Sequence, residues 1–337
     1  MRKLWVHVCF ILLLAGCMGR SFEESLVFLP LPFPEYQRLP EDATFEDAWF
    51  DAPGGPRLHG WYVEGARPGP VVLYCHGNAG NISHRRWLLH LYRERLNATV
   101  LVFDYRGYGK SVGTPSEPGV LADARAARRW LAQRAGVDEG EIILVGNSLG
   151  GGVAVDLAAT DGARGLVLEN TFTSLPDVVA CYAKLLPDYP IHWLMWCRLD
   201  SEAKIRSYHG PLLMTHGTAD PVVPYRLGHR LYEAANEPKR LVTVPGGGHF
   251  ERPSGEYLQA LEGFLAAHPA REGGQSRLEK TVSHRLKVIH HHRHVGVDQV
   301  LGDEGFDGRP GAAGEAAADA RHVDGSGQLP GLNGDLR

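Results

Sequence analysis

Residues 141–152 read Glu-Ile-Ile-Leu-Val-Gly-Asn-Ser-Leu-Gly-Gly-Gly, an apolar run followed by a glycine-rich turn. The turn contains the pattern G-x-S-x-G, with Ser148 at its centre and Gly146 and Gly150 two positions to either side. Between a strand and a helix, this pattern holds the serine on a sharp, strained turn with its hydroxyl clear of the sheet. Side chains at the two glycine positions would collide there. We therefore predict that Ser148 is a nucleophile; the alternative is a turn that opens a helix without any chemistry.

Outward from this stretch, short apolar runs alternate with segments of helical periodicity. The runs are typical of a parallel sheet buried on both faces, and their alternation with helices predicts an α/β fold with right-handed crossovers. Binding and chemistry are then expected at the carboxyl ends of the strands. We predict strands over 44–50, 57–64, 70–75, 98–103, 141–146, 165–168, 211–215 and 240–244, and helices over 85–95, 119–134, 149–159, 225–235 and 254–267.

A serine needs a base, and a histidine base needs an acid to orient it. His249 follows the last predicted strand on a glycine-rich loop, Pro245–His249, where its side chain has room to reach. Asp220 lies just beyond an earlier strand, so the chain order is nucleophile, acid, histidine, as in α/β-hydrolases. A helix N-cap is the alternative role for Asp220. Glu169, at the end of the preceding strand, is the rival acid.

The oxyanion of an acyl transfer requires two backbone donors. One is expected to be the amide of Leu149, directly after the nucleophile. The other is expected from the loop that follows the third strand, where small residues allow the backbone to approach a substrate carbonyl. We predict the amide of Asn78, with that of Ala79 as the alternative, and a structural role for His76 in holding the loop.

The chain resembles the α/β-hydrolase superfamily, and is most similar to its small single-domain serine hydrolases. That branch includes the animal protein depalmitoylases and has ties to prolyl-oligopeptidase-type peptidases. The resemblance implies an α/β-hydrolase fold: an eight-stranded, mostly parallel sheet flanked by helices, with a short cap. It also implies a Ser148–Asp220–His249 triad. The blocks that carry it are Leu58-His59-Gly60-Trp61-Tyr62, His76-Gly77-Asn78-Ala79-Gly80-Asn81, Asp104-Tyr105-Arg106-Gly107-Tyr108-Gly109-Lys110-Ser111 and Gly146-Asn147-Ser148-Leu149-Gly150-Gly151.

The function expected from this resemblance is hydrolysis of a small carboxylic ester or thioester through an acyl-enzyme, without a cofactor or metal. A peptidase of short peptides and a catalytically idle binding protein on the same scaffold are the alternatives. The formal net charge of −4 offers no general basic surface for nucleic acid. Nucleotide-binding patterns such as G-x-x-x-x-G-K-[ST] are absent. Nothing in the sequence indicates the natural substrate, a protein partner or the oligomeric state.

The first seventeen residues predict where in the cell the protein is located. Met1-Arg2-Lys3 is basic, Leu4–Ala15 is apolar but too short to span a bilayer, and Leu14-Ala15-Gly16-Cys17 resembles a bacterial lipobox. The resemblance implies cleavage before Cys17 and acylation of its thiol, hence a membrane-anchored protein outside the cytoplasm. An ordinary signal peptide with a chance cysteine is the alternative. Met18, in place of an aspartate, favours the outer membrane.

The sequence thus divides into a signal peptide (1–16), a proline-rich extended tether (17–40), a hydrolase domain (41–270) and a low-complexity tail (271–337) expected to be disordered. A cap is expected at about 172–209, with large apolar residues that either pack on the body or line an acyl pocket. Cys181 and Cys197 fall in this cap, where they either pair or remain two buried thiols. The tail carries a histidine tract, His290-His291-His292 and His294, to which we assign no function.

Overall fold

The computed structural model describes residues 19–33, 45–66, 68–182, 191–249 and 253–271. All of these residues lie in the unit that spans Met1–Ser283. The predicted signal peptide, the predicted lipid site Cys17 and all but the first residue of the predicted tail lie outside the described residues. So do three of the apolar cap residues, namely Leu185, Leu186 and Tyr189.

Eight strands of the described residues form one sheet in the order β1-β2-β4-β3-β5-β6-β7-β8. Strand β2 is antiparallel to β1 and to β4, and every other neighbouring pair is parallel. This is the mostly parallel, eight-stranded sheet that the sequence predicts. The strands are β1 (Glu46–Asp51), β2 (Arg57–Val63), β3 (Val71–Cys75), β4 (Thr99–Phe103), β5 (Ile143–Asn147), β6 (Gly165–Glu169), β7 (Leu212–Gly217) and β8 (Lys239–Val244).

The sheet is buried on both faces. Successive side chains of a strand point to opposite sides of the sheet, so neighbouring residues of one strand pack into different core clusters. In β5, Leu144 belongs to the core cluster on one face, whereas Ile143 and Val145 belong to the cluster on the other. All three side chains are fully buried. This two-sided burial explains why the central strands read as continuous apolar runs.

Helices cover both faces, close to where their periodicity predicts them. The long helix α3 begins after Ser116, whose hydroxyl accepts the amide of Gly119, and ends at Gly136 in the left-handed conformation. The helices are α1 (Arg20–Val27), α2 (Arg86–His90), α3 (Glu117–Ala135), α4 (Leu149–Asp161), α5 (Leu175–Tyr182), α6 (Ile191–Leu194), α7 (Ser201–Ile205), α8 (Tyr225–Ala234) and α9 (Gly255–Ala267), with 3-10 turns at Ile82–Arg85 and Glu139–Glu141 and a π turn at Leu91–Arg95.

The expectation of an extended tether is wrong for residues 20–27, which form helix α1. The prolines that suggested the tether begin at Pro30, and none of them lies within the eight residues of the helix. Glu23 and Glu24 of this helix are buried, and Phe28 directly after it is 1% exposed. The segment is therefore packed on the domain rather than extended away from it.

The predicted cap contains three short helices in its described part, α5, α6 and α7. Ile191 and Met195 are buried, whereas Trp193 and Trp196 are exposed, so the apolar cap residues do not act as one group. No disulfide joins Cys181 to Cys197. No described helix combines the length and the apolar character that crossing a membrane requires.

Candidate active site

Ser148 lies on the turn between β5 and α4, at the carboxyl edge of the sheet. Its backbone has φ 53° and ψ −117°, a strained conformation for a residue that carries a Cβ. A Cβ at Gly146 would overlap the carbonyl oxygen of Gly150, and a Cβ at Gly150 would overlap that of Cys75. Both glycines of the G-x-S-x-G pattern are thus required by close backbone approaches, as predicted.

Ser148, His249 and Asp220 form a continuous hydrogen-bonded chain. The Ser148 hydroxyl lies 3.0 Å from Nε2 of His249, and Nδ1 of His249 donates to Oδ2 of Asp220 at 2.7 Å. All three residues are less than 10% exposed, so water competes little for these bonds. The structure brings together the three side chains that the sequence predicts as a catalytic triad.

Asp220 is held in its ionised form by the groups around it. Burial raises the pKa of its carboxyl, but hydrogen bonds from His216 and His249 outweigh burial and hold the pKa below its usual range. Its other oxygen, Oδ1, accepts the amides of Val222 and Val223, each at 2.8 Å. Asp220 therefore also fixes the turn before α8, in the manner of the helix-cap role considered from sequence.

His216 is a residue of this site that sequence analysis missed. It is fully buried, and its Nε2 lies 3.0 Å from the carbonyl oxygen of Val223 and 3.5 Å from Oδ2 of Asp220. The available signal was its position, four residues before Asp220 at the end of a buried strand. That spacing does not by itself indicate a contact, because the loop between the strand and Asp220 can turn in many ways.

The rival acid Glu169 is not the partner of His249. Its carboxylate accepts the hydroxyls of Tyr74 at 2.9 Å and Tyr257 at 2.6 Å. Burial raises its pKa, although these two hydrogen bonds act in the opposite direction. Its backbone oxygen accepts the amide of Ser148 at 2.9 Å. Glu169 thus supports the turn at Ser148 through its main chain, while its side chain joins β6 to β3 and α9.

The loop after β3 approaches Ser148 closely. A Cβ at Gly77 would lie 2.9 Å from Oδ1 of Asn147 and 3.4 Å from Cβ of Ser148. Asn78, the predicted second oxyanion donor, is the next residue. Leu149 is the first residue of α4, where helix geometry leaves the backbone amide without an intrahelical carbonyl. His76 is fully buried and contacts the carbonyl oxygen of Gly77 at 2.7 Å, in line with its predicted structural role.

A cavity of about 320 Å³ opens beside His249. Its walls come from the loop after β3 with its following turn, from the ends of β6 and β7, and from the loop before α9. Glu169, Tyr74 and Tyr257 lie on its surface together with Arg85 and His249. The cavity therefore adjoins His249.

Comparisons with known proteins agree with this fold. A family model described as the alpha/beta hydrolase fold matches residues 70–193. An uncharacterized protein of Mycobacterium tuberculosis is 42% identical over 68% of this chain and 81% of its own length. The alpha/beta hydrolase domain-containing protein WAV2 of Arabidopsis thaliana is 33% identical over 68% of this chain and 82% of its own. The chain belongs to the α/β-hydrolase family.

Solved structures show the same fold for this α/β hydrolase. The Pyrococcus furiosus esterase Pf2001 superimposes with a TM-score of 0.58 at 18% identity, covering 72% of this chain and 97% of the esterase. Est1E from Butyrivibrio proteoclasticus, solved with ferulic acid bound, gives a TM-score of 0.53 at 21% identity, covering 66% and 98%. At these identities the likeness establishes the fold alone. Family and fold together support a hydrolase.

Proposed function

We propose that this hydrolase cleaves a carboxylic ester or thioester through a covalent acyl-enzyme on Ser148. The observation that carries the proposal is the position of His249, with Nε2 3.0 Å from the Ser148 hydroxyl and Nδ1 2.7 Å from Asp220. These distances suit proton transfer from the serine in one direction and orientation by the carboxylate in the other.

Acylation begins when Ser148 Oγ attacks the carbonyl carbon of the substrate and its proton passes to Nε2 of His249. The ionised Asp220 fixes the imidazole tautomer and stabilises the imidazolium that forms. The carbonyl oxygen becomes an oxyanion, to which the amides of Leu149 and Asn78 donate. Losing one such donor typically costs roughly 3 kcal/mol of transition-state stabilisation.

The tetrahedral intermediate then expels the alcohol or thiol, which takes its proton from His249. A water molecule enters, gives a proton to the same nitrogen and attacks the acyl-enzyme. Collapse of the second tetrahedral intermediate releases the carboxylic acid and returns the proton to Ser148. No step requires a group other than these side chains, the two amides and water.

Labelling of the full chain with a fluorophosphonate probe tests the nucleophile. We expect the wild-type protein to be labelled covalently, and Ser148→Ala and His249→Ala to remain unlabelled while keeping the wild-type melting temperature. A folded wild-type protein that resists the probe would contradict the proposal and favour the idle binding protein.

The bond that is cleaved is tested with a matched series of substrates. Acyl esters, acyl thioesters and aminoacyl amides of the same acyl group should be compared for kcat/KM, with Ser148→Ala as the blank. We expect turnover of the esters and thioesters. Turnover of the amides alone would make the protein a peptidase.

We also propose that the protein is acylated on Cys17 and anchored to a membrane outside the cytoplasm. The support is the lipobox-like stretch Leu14-Ala15-Gly16-Cys17 behind a basic and apolar leader. Two or more acyl chains hold a protein stably on a bilayer. Expression in a bacterium fed an alkyne fatty acid should label the wild-type protein and not Cys17→Ser, and fractionation should find the labelled form in the outer membrane. Equal labelling of both forms would exclude Cys17 as the site.

A further inference from the structure

The N-terminal strap, residues 19–33, adds an extra extended segment at the active-site end of the domain. After helix α1 the chain is extended, and Pro30 pairs with Gly80 and Pro32 with Gly109 in parallel bridges. The amide of Gly109 donates to the strap at 3.0 Å, and the strap donates back to the carbonyl of Gly109 at 3.2 Å. The strap therefore lies between the loop after β3 and the loop after β4, and bonds to both.

The side chain of Asn78 is the central contact of this strap. Its Nδ2 donates to the carbonyl oxygen of Val27 at 2.6 Å, and its Oδ1 accepts the amide of Leu29 at 3.0 Å. The hydroxyl of Tyr108 donates to the same Oδ1 at 2.8 Å. Both ends of the side-chain amide are thus fixed, and two of the three bonds come from the strap.

A second asparagine of the same loop repeats this arrangement. Nδ2 of Asn81 donates to the carbonyl oxygens of Leu31 at 3.1 Å and Pro32 at 3.0 Å, and its Oδ1 accepts the amide of Ser83 at 2.9 Å. Asn81 is fully buried. The loop that carries Asn78 is consequently bonded to the strap through two asparagine side chains, three residues apart, in addition to the bridge at Gly80.

Buried carboxylates hold the other end of the strap. Glu23 is fully buried and accepts the amides of Trp196 at 3.0 Å and Cys197 at 2.7 Å. Glu24 accepts the amide of Glu117 at 3.2 Å. A buried charge without partners is costly, whereas backbone donors of this kind make it tolerable. Helix α1 is therefore fixed to the cap segment and to the start of α3.

We propose that the strap positions the loop after β3, which carries the second oxyanion donor. The backbone of the strap holds the side chain of Asn78, and so sets where the amide of Asn78 lies relative to Ser148. This rests on the proposed serine mechanism, in which that amide receives the oxyanion. The preceding residue, Gly77, already lies against Ser148, so a small displacement of the loop alters the donor geometry. A misplacement of about 1 Å at such a site costs on the order of 100-fold in rate. Asn78 is a catalytic residue through its amide, and the strap residues are positioning residues.

Leu29→Pro tests the proposal by removing one backbone donor. Its side chain is 49% exposed, and Phe28 before it has φ −89° and ψ 129°, the extended conformation that suits a residue before proline. Leu29→Ala is the matched control, because it shortens the same side chain and keeps the amide. The full chain of each form is compared with a fluorophosphonate titration that counts reactive sites, and kcat and KM are then measured per titrated site.

We expect Leu29→Pro to titrate fully at long times, and to lose about 10- to 100-fold in kcat per site with KM within a factor of two. Leu29→Ala should match the wild-type protein. Equal kcat per site in the two variants would overturn the inference while leaving the serine mechanism intact. A lower number of titrated sites with unchanged kcat would also overturn it, because that result indicates partial unfolding. A wild-type protein that neither titrates nor hydrolyses esters would instead defeat the proposed function.

Tyr108→Phe gives a second test that leaves the strap sequence unchanged. It removes the hydroxyl that donates to Oδ1 of Asn78 and accepts the amide of Leu29 at 3.1 Å, and it keeps the buried ring. Tyr92→Phe is its control, since the buried hydroxyl of Tyr92 has no hydrogen-bond partner among the described residues. We expect a three- to ten-fold lower kcat per site for Tyr108→Phe, at unchanged KM, and no change for Tyr92→Phe. The same kcat in both variants would contradict the positioning role.

Discussion

Nε2 of His216 lies 3.5 Å from Oδ2 of Asp220, the oxygen that also accepts Nδ1 of His249. One carboxylate oxygen therefore lies between two imidazoles. The second imidazole is tightly enclosed, because a Cβ at Gly228 would overlap its Nδ1. His216 thus supports the carboxylate of Asp220, and is itself held in place by the carbonyl of Val223 and by the close approach of α8.

Replacing His216 should lower activity more when the new side chain has no hydrogen-bond donor for Asp220 than when it keeps one. His216→Leu removes the Nε2 donor, so Asp220 loses one of its bonds and the turn before α8 loosens; we expect about a ten-fold fall in kcat/KM. His216→Gln can keep a donor at a similar distance and should stay within two- to three-fold of the wild-type value. Ester hydrolysis by the two variants, normalised to titrated sites, checks this. Equal losses would mean that only the size of the imidazole matters.

The two acids considered from sequence should respond very differently to amidation. Asp220→Asn removes the charge that stabilises the imidazolium, and an equivalent change in a serine triad costs on the order of 10⁴-fold in kcat. Glu169→Gln should keep most of the activity, because its side chain bonds Tyr74 and Tyr257 rather than His249. Rates of both variants under one set of conditions decide the matter. A larger loss in Glu169→Gln would return it to the catalytic role.

The stability of Glu169→Gln relative to the wild-type protein should depend on pH. Burial raises the pKa of Glu169 above 4.5, so the stability contributed by this group is fully present below pH 4.5 and is lost as pH rises through its folded pKa. Glutamine does not ionise. We expect urea unfolding at pH 4.5 and pH 8 to show the variant gaining stability relative to the wild-type protein at the higher pH. Tyr74→Phe removes a hydrogen bond to the ionised carboxylate of Glu169. We therefore expect this variant to lose more free energy of unfolding between pH 4.5 and pH 8 than the wild-type protein does. If the free energies of unfolding of Glu169→Gln and the wild-type protein differed by the same amount at both pH values, a raised pKa of Glu169 would be excluded.

Alanine at Gly150 should unfold the protein or nearly so. The new Cβ would overlap the carbonyl oxygens of Cys75 and His76, which are backbone atoms beside the turn at Ser148. We expect a loss of at least about 3 kcal/mol in the free energy of unfolding, measured in urea. Gly263→Ala in α9 is the control, because a Cβ there meets nothing within 4 Å. It should be neutral or stabilising by up to about 1 kcal/mol. Similar stability of the two variants would contradict the close contact.

The sheet and the triad were predictable because their signals are local. Each central strand is a short apolar run, Ser148 lies in a motif with a steric reason for its glycines, and chain order selects Asp220 and His249. The role of His216 was not predictable, since its contact with Asp220 depends on how the loop before α8 turns. The position of Asn78 in the loop was predicted, but the partners of its side chain were not.

The N-terminal strap was misread for a related reason. The prolines of residues 17–40 suggested an extended tether, and the two that the structure describes, Pro30 and Pro32, do pair in extended bridges, but residues 20–27 before them form a helix. What holds that helix is the burial of Glu23 and Glu24 against partners far away in sequence. Leu29 and Asn78 are 49 residues apart, and Glu23 and Cys197 are 174 apart. Periodicity and composition within a short window contain no information about such pairs.

These separations have a consequence for the order in which the protein is made. Glu23 emerges early during translation, but the amide of Cys197 that it accepts is synthesised 174 residues later. At about 5–20 residues per second, the interval is roughly 10–30 s. Until then Glu23 lacks the amides of Trp196 and Cys197 that it accepts in the folded protein. The N-terminal helix can therefore be fixed to the cap segment only after the turn that carries Ser148 has been synthesised.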